Sequence, residues 1–181
     1  MKRVTAFVGS ARRKHTDEAV SRFFAHLEAL GGVDCEVVML SDYALETCRG
    51  CKLCFERGEE VCPLKDDRDV VISKIESSDA VILASPNHTM NVNWRMKNFI
   101  DRTYSLWHDR KLSGKYVVTV AVNGDTGADR ALETLEGFAN AHEFIYAGSV
   151  TGKAFLPGDI KEDAAALDAA KAIGKKIAGL G

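Results

Sequence analysis

Short apolar, β-branched runs alternate with amphipathic stretches along this 181-residue chain. Val4 to Val8 is the first run; it ends at Gly9-Ser10 and reads as a parallel strand buried on both faces. Val20, Phe23, Phe24, Leu27 and Leu30 then recur with helical spacing. They predict a helix from about Thr16 that stops at Gly31-Gly32, with Thr16 as its N-cap and Asp17 and Glu18 in its first turn. Glu36 to Leu40 is a second strand, and Asp66-Asp67 opens a short helix through about Ser77. Asp79 to Ala84 is the third strand, stopping at Ser85-Pro86. A helix from about Trp94 carries Met96, Phe99, Ile100, Thr103, Leu106 and Trp107 on one side. Lys115 to Val122 is the fourth strand, ending at Asn123-Gly124. Ala128, Ala131, Leu132, Leu135 and Phe138 mark another helix, and Glu143 to Ala147 a shorter fifth strand. Ile160, Ala164, Leu167, Ala170, Ile173 and Ile177 line a last helix, weakened by Gly174.

Strictly alternating strands and helices predict an α/β fold with helices on both faces of a parallel sheet. Five strands suit a flavodoxin-like three-layer sandwich in the order 2-1-3-4-5. The length suits a single domain over residues 1–181, with a cysteine-rich insertion at about residues 45–66. Ligands in such sheets bind beyond the carboxyl ends of the strands, at the switch point between strands 1 and 3. The loops beginning at Ser10, Ser85 and Asn123 lie on that edge.

A net charge of −2 excludes a basic nucleic-acid binder on bulk grounds. No apolar run reaches the length of a membrane span, and the run after Lys2-Arg3 is too short for a signal sequence. A cytoplasmic protein with no nucleic-acid or membrane partner is expected. In a reducing compartment, clustered cysteines point to metal or redox chemistry before structural disulfides.

The first loop, Gly9-Ser-Ala-Arg-Arg-Lys-His-Thr16, joins a strand to a helix N-terminus. It has hydroxyls at both ends and three consecutive cations, so a phosphate there would meet backbone N–H groups, hydroxyls and the helix dipole. A capped helix behind a solvated basic loop is the plainer alternative. Neither G-x-x-x-x-G-K-[ST] nor G-x-G-x-x-G occurs, which weakens a nucleotide P-loop or dinucleotide reading. The second loop is Ser85-Pro-Asn-His-Thr-Met-Asn91, in which Pro86 stiffens the turn and His88 is either an acid or a solvated bystander. The third, Asn123-Gly-Asp-Thr-Gly127, has two glycines that permit close backbone approach.

Four of the five cysteines fall in Cys48-x2-Cys51-x2-Cys54-x7-Cys62-Pro63. Three thiolates at every third position can wrap one face of a cubane, and C-x2-C-x2-C occurs in bacterial ferredoxins. Zinc fits less well, because its four-cysteine sites come as two separated C-x2-C pairs. Free or disulfide-forming redox thiols remain open. Cys35 reads as a core residue.

Together these motifs make the sequence similar to the NADPH-dependent FMN reductase superfamily, and within it to the iron–sulfur flavoproteins. The matching pieces are Gly9-Ser10-Ala-Arg12 with Thr16; Cys48, Cys51, Cys54 and Cys62 with Asp66-Asp67; Ala84-Ser85-Pro86; and Met96-Lys97 through Asp101-Arg102. The resemblance implies that Ser10, Arg12 and Thr16, beside Lys14 and His15, hold an FMN phosphate. Ser85, Pro86, Asn87, His88, Thr89, Met90 and Asn91 would line the ring and ribityl chain. Asn123, Gly124, Asp125 and Gly127 would close the other side. The four cysteines would hold a [4Fe-4S] cluster; no catalytic residue is assigned. The implied function is electron transfer between FMN and the cluster, with NAD(P)H as an electron donor, a small-molecule or ferredoxin-type redox partner, and a homodimer or homotetramer. The competing readings are an NAD(P)H-dependent FMN, quinone or nitro-compound reductase without a cluster, and a non-catalytic thiol or metal sensor. Ala11 and His15 depart from the Pro and Asn common in the first loop, and His88 from an aromatic residue common in the second.

Overall fold

A computed structural model describes residues 1–154 together with Asp168, Ala172, Gly174 to Ile177 and Gly179. Strands are β1 (Lys2–Val8), β2 (Val33–Met39), β3 (Ala80–His88), β4 (Asn91–Val92), β5 (Tyr116–Asn123) and β6 (Ile145–Lys153). Helices are α1 (His15–Leu30), α2 (Leu53–Arg57), α3 (Arg68–Glu76), α4 (Trp94–Arg102), α5 (Tyr104–His108) and α6 (Ala128–Ala141). Parallel pairing gives the order β2-β1-β3-β5-β6, the predicted flavodoxin-like order. The sixth strand, β4, was not predicted; it pairs antiparallel with the end of β3.

Side-chain alternation builds the two cores. Val4, Ala6 and Val8 face α1, where they pack with Val20, Phe23 and Leu27. Phe7 faces the other way, with Leu83, Met96, Leu106 and Leu135, and its ring stacks on Phe99 at 4.9 Å. Ile177 closes the first core. The remaining apolar positions expected to line the last helix, Ile160, Ala164, Leu167, Ala170 and Ile173, lie outside the described residues.

Several boundaries differ from expectation. The helix from Trp94 breaks at Thr103, whose hydroxyl donates to the Ile100 carbonyl at 2.8 Å. The break leaves Trp107 46% exposed rather than on a continuous buried face. β3 continues through Ser85-Pro86 to His88, and Thr89 and Met90, at φ 49° and 64°, turn the chain back into β4. β6 starts later and runs longer than predicted, with a bulge opposite Val117/Val118. Thr16 is not the cap of α1: Lys14 holds that position, Thr16 is buried in the first turn, and no side chain caps the helix. Cys35 is half-buried, and burial pushes its thiol up to about 11.

The cysteine segment is tied down by a buried ion pair. Arg102 and Asp66, each with its side chain 3% exposed, meet at 2.9 Å. Arg102 also donates to the Glu46 carbonyl, while Asp66 accepts from the backbone N–H groups of Glu46 and Arg68. Asp67 accepts from the N–H of Ala44, and Asn98 donates to the Leu45 carbonyl. The chain entering and leaving the cysteine segment is thus clamped to α4. Buried Arg68 pairs with Glu59 inside the long gap between Cys54 and Cys62, and Lys111 joins Glu59 to Glu76. This carries the segment down the face of the sheet, away from the carboxyl ends of the strands.

Two stability outcomes follow from these buried groups. Arg102→Leu strands Asp66 as a buried unpaired carboxylate, so urea unfolding should show a loss of about 3–5 kcal/mol; a loss below about 1 kcal/mol would remove the pair from this role. His142 is buried against Phe138 and Phe144, and burial holds its pKa down at about 4. The unfolded chain therefore takes up this proton first as pH falls. Stability from this group is complete above about pH 6.5 and is lost toward pH 4, by an amount on the order of 2–3 kcal/mol. The same titration of His142→Leu should lack that component.

Candidate functional site

The sheet register brings three strand ends together. Val8 pairs with Ala84, and Ser85 and Pro86 pair with Ala121 and Val122. The N–H of Gly9 donates to the Ala84 carbonyl at 2.8 Å. A Cβ on Gly9 would lie 2.8 Å from the Cβ of Met96, so glycine there lets α4 pack under the start of the first loop.

These ends enclose a cavity of about 150 Å³ lined by Ser10, Arg12, Lys14, His15 and Thr16, by Pro86, Asn87 and His88, and by Asn123 and Gly124. Ser10 shapes the first loop: its Oγ accepts from the N–H of Arg12 and donates to the Arg12 carbonyl. Of the three consecutive cations, Arg13 pairs with Asp42 at 2.5 Å, while Arg12 and Lys14 line the cavity. The uncapped start of α1 adds its dipole and free N–H groups. His15 Nδ1 and Asn87 Oδ1, on the same wall, are buried without a hydrogen-bond partner among the described residues. Cations, an uncapped helix start and unpaired polar atoms fit the phosphate and polar chain of FMN. The volume lies below the roughly 300–1,000 Å³ of a small-molecule cleft, so the ring of such a cofactor would extend beyond the enclosed part.

The other predicted residues are not on this wall. Ser85 is fully buried and bonds to the backbone at Pro86 and Asn93. Thr89 and Met90 form the exposed turn of the β3–β4 hairpin, and Asn91 Oδ1 accepts from Val92 N–H and the Thr134 hydroxyl. Asp125 lies in the exposed part of the third loop. Gly127, at φ 90°, admits the hairpin: a Cβ there would lie 2.8 Å from Asn87 Nδ2 and from Met90 Sδ. Asn87 Nδ2 donates to the Thr126 carbonyl at 2.8 Å, stapling the second loop to the third.

The larger cavity, about 740 Å³, is elsewhere. Cys48, Cys51, Cys54 and Cys62 all line it, facing Ile100, Tyr104, Trp107, Phe138 and His142. All four are free thiols; the N–H of Gly50 donates to Cys48 Sγ at 3.5 Å. Burial raises the Cys54 pKa, and the cation of Arg68 opposes the rise. The donors suit an iron–sulfur cluster in kind and number. Among the described residues, however, no three His, Cys, Asp or Glu side chains converge as a metal-holding group. A segment that follows β2 in the chain is expected at the carboxyl edge, beside the flavin loops. Instead its cavity adjoins the C-terminal ends of α4 and α6 and shares no lining residue with the first. Size alone does not mark a cofactor cleft; the cations of the first loop and the switch point border the smaller cavity.

Sequence reasoning missed Arg68, the pairing of Arg102 with Asp66, the aromatic wall and Asn93. Asn93 had a signal: an asparagine just before an amphipathic run is a helix N-cap, and its Oδ1 accepts from Arg95 N–H at 2.7 Å.

No helix among the described residues is long and apolar enough to cross a membrane. An iron-sulfur flavoprotein of Methanocaldococcus jannaschii is 30% identical to the chain over 188 aligned residues, covering 97% of this chain and 95% of the relative. One from Archaeoglobus fulgidus is 35% identical over 151 residues, 81% of this chain and 66% of the relative. Among solved structures, RosB with bound 8-demethyl-8-formylriboflavin-5'-phosphate superposes with a TM-score of 0.80 at 13% identity, covering 99% of this chain and 79% of that one. An FMN-dependent NADH-azoreductase from Bacillus anthracis, in complex with FMN, gives 0.67 at 13% identity, covering 98% and 100%. These two likenesses show the shared fold. The family model for NADPH-dependent FMN reductases matches residues 2–154, from the first residue of β1 to just past the end of β6. Because that match takes in every described strand, the chain belongs to the NADPH-dependent FMN reductase family of flavin-dependent oxidoreductases.

Proposed function

We propose that the chain passes electrons between FMN at the carboxyl edge of the sheet and a [4Fe-4S] cluster on Cys48, Cys51, Cys54 and Cys62. The observation that carries this reading is the arrival of all four sulfurs at one cavity, in a chain 30% identical to an iron-sulfur flavoprotein. FMN exchanges one or two electrons and a cluster one, so together they join a two-electron donor to a one-electron carrier. Ser10, Arg12, Lys14, His15 and Thr16 would hold the phosphate, where cations and helix dipole offset its charge. Asn87, His88, Asn123 and Gly124 would border the rest of the cofactor. Buried Arg68 would stand beside the thiolates as a fixed cation.

The separation of the two cavities bears on assembly. α6 starts at the hairpin contact and ends at the cysteine cavity, and its 14 residues span about 20 Å. Electron tunnelling falls steeply with distance. A cluster serving a neighbouring protomer's flavin is therefore the better arrangement, which supports a homodimer or homotetramer with a ferredoxin-type or small-molecule partner.

A second reading, an NAD(P)H-dependent reductase of flavins, quinones or nitro compounds with no cluster, is favoured by one observation. The thiols share a cavity without converging on a metal site among the described residues.

Anaerobically purified protein should contain FMN with stoichiometric iron and sulfide, and Cys51→Ser should lose the iron while keeping the flavin. Protein with flavin but no iron or sulfide would select the second reading. Arg12→Ala should weaken FMN binding by roughly 1.5–3 kcal/mol, the worth of a charge-assisted phosphate contact. Isothermal titration of the flavin-free protein reads this directly, and an unchanged affinity would move the phosphate away from Arg12.

A further inference from the structure

Buried Ser85 and Asn93 form a polar relay that ends at the exposed side chain of His88. Ser85 Oγ accepts from the N–H of Asn93 at 2.9 Å and donates to the Pro86 carbonyl, also at 2.9 Å. This fixes Asn93, itself 2% exposed, at the start of α4. Its Oδ1 accepts from Arg95 N–H. A backbone N–H can only donate, so this contact settles which end of the amide is oxygen. Nδ2 is therefore the atom 3.3 Å from His88 Nδ1. An amide NH2 also only donates, so Nδ1 must accept and carries no proton. The single proton of the neutral ring then sits on Nε2. Nε2 has no partner among the described residues, and the ring borders the carboxyl-edge cavity beside Pro86 and Asn87.

We infer that Asn93 is a positioning residue that holds the His88 ring in its Nε2–H tautomer, with that N–H offered toward the FMN cavity. A neutral donor suits a carbonyl oxygen or ring nitrogen of the flavin, whereas Arg12 and Lys14 suit the phosphate. The inference rests on the FMN reading for its ligand but not for its tautomer.

The tautomer is read in flavin-free protein by long-range proton–nitrogen NMR on 15N-histidine-labelled samples, with His88→Gln assigning the signal. His88 should show the Nε2–H pattern. In Asn93→Asp, which keeps an oxygen to cap α4 but presents an acceptor to the ring, Nδ1 should become protonated. An averaged tautomer in the wild type, or an unchanged pattern in Asn93→Asp, would overturn the lock. The ligand half is tested by FMN titration: His88→Phe should raise the dissociation constant about tenfold, and His88→Gln, which retains a donor, should stay within about threefold of wild type. Equal affinity in His88→Phe and wild type would overturn a donor role toward the cofactor. Wild-type protein that shows the locked tautomer but binds no FMN would refute the FMN reading and leave Asn93's positioning role supported.

Discussion

The contact between Arg102 and Asp66 decides where the redox-active part of this molecule sits. Both charges are almost wholly removed from water, and each is also bonded to the backbone. Such a pair gains little net stability over an apolar contact, but it tolerates one partner poorly without the other. Its worth here is positional. A segment of loop, one short helix and a 3-10 turn has no extensive core of its own. It is held because its entry, at Ala44 to Glu46, and its exit, at Asp66 to Arg68, are bound to each other and to α4. Arg68 and Glu59 fix the middle in the same way.

The chemistry divides between two cavities of different character. One offers backbone donors, hydroxyls and cations at the end of a parallel sheet, which suits a polar anionic cofactor. The other is broad, apolar and aromatic, with thiols on its wall. α6 touches both, the first through Gly127 against Asn87 and the second through Phe138 and His142. Its rigid length makes them neighbours in sequence logic but not in space.

The parallel sheet was legible because strands buried on both faces are continuous apolar runs, and their order followed from crossover rules. The first loop and Pro86 to His88 were legible because strand ends at a switch point have few other places to go. What stayed hidden depends on side chains far apart in sequence. Nothing local at Thr103 announces a helix break, since the apolar spacing continues across it. β4 is two residues long, too short for periodicity to register. Ser85 resembled a ligand residue, but it was taken up by the backbone of Asn93. The cysteine segment was placed by its position after β2, whereas salt bridges to Arg102 and Lys111 carry it elsewhere.

Gly9 has a consequence for how this loop can diverge. Its close approach to Met96 and its bond to Ala84 seat the first loop from below, through the sheet and α4, while Ser10 holds the turn itself. Positions 11 and 15 are thereby released from the task of holding the loop in place. Ala11 and His15 therefore stand where the loop's seat does not depend on them. Change at positions 11 and 15 leaves that seat in place, while a side chain at Gly9 would collide with Met96. The fixed point of this loop is thus a backbone contact with α4, set apart from the side chains that would meet the cofactor.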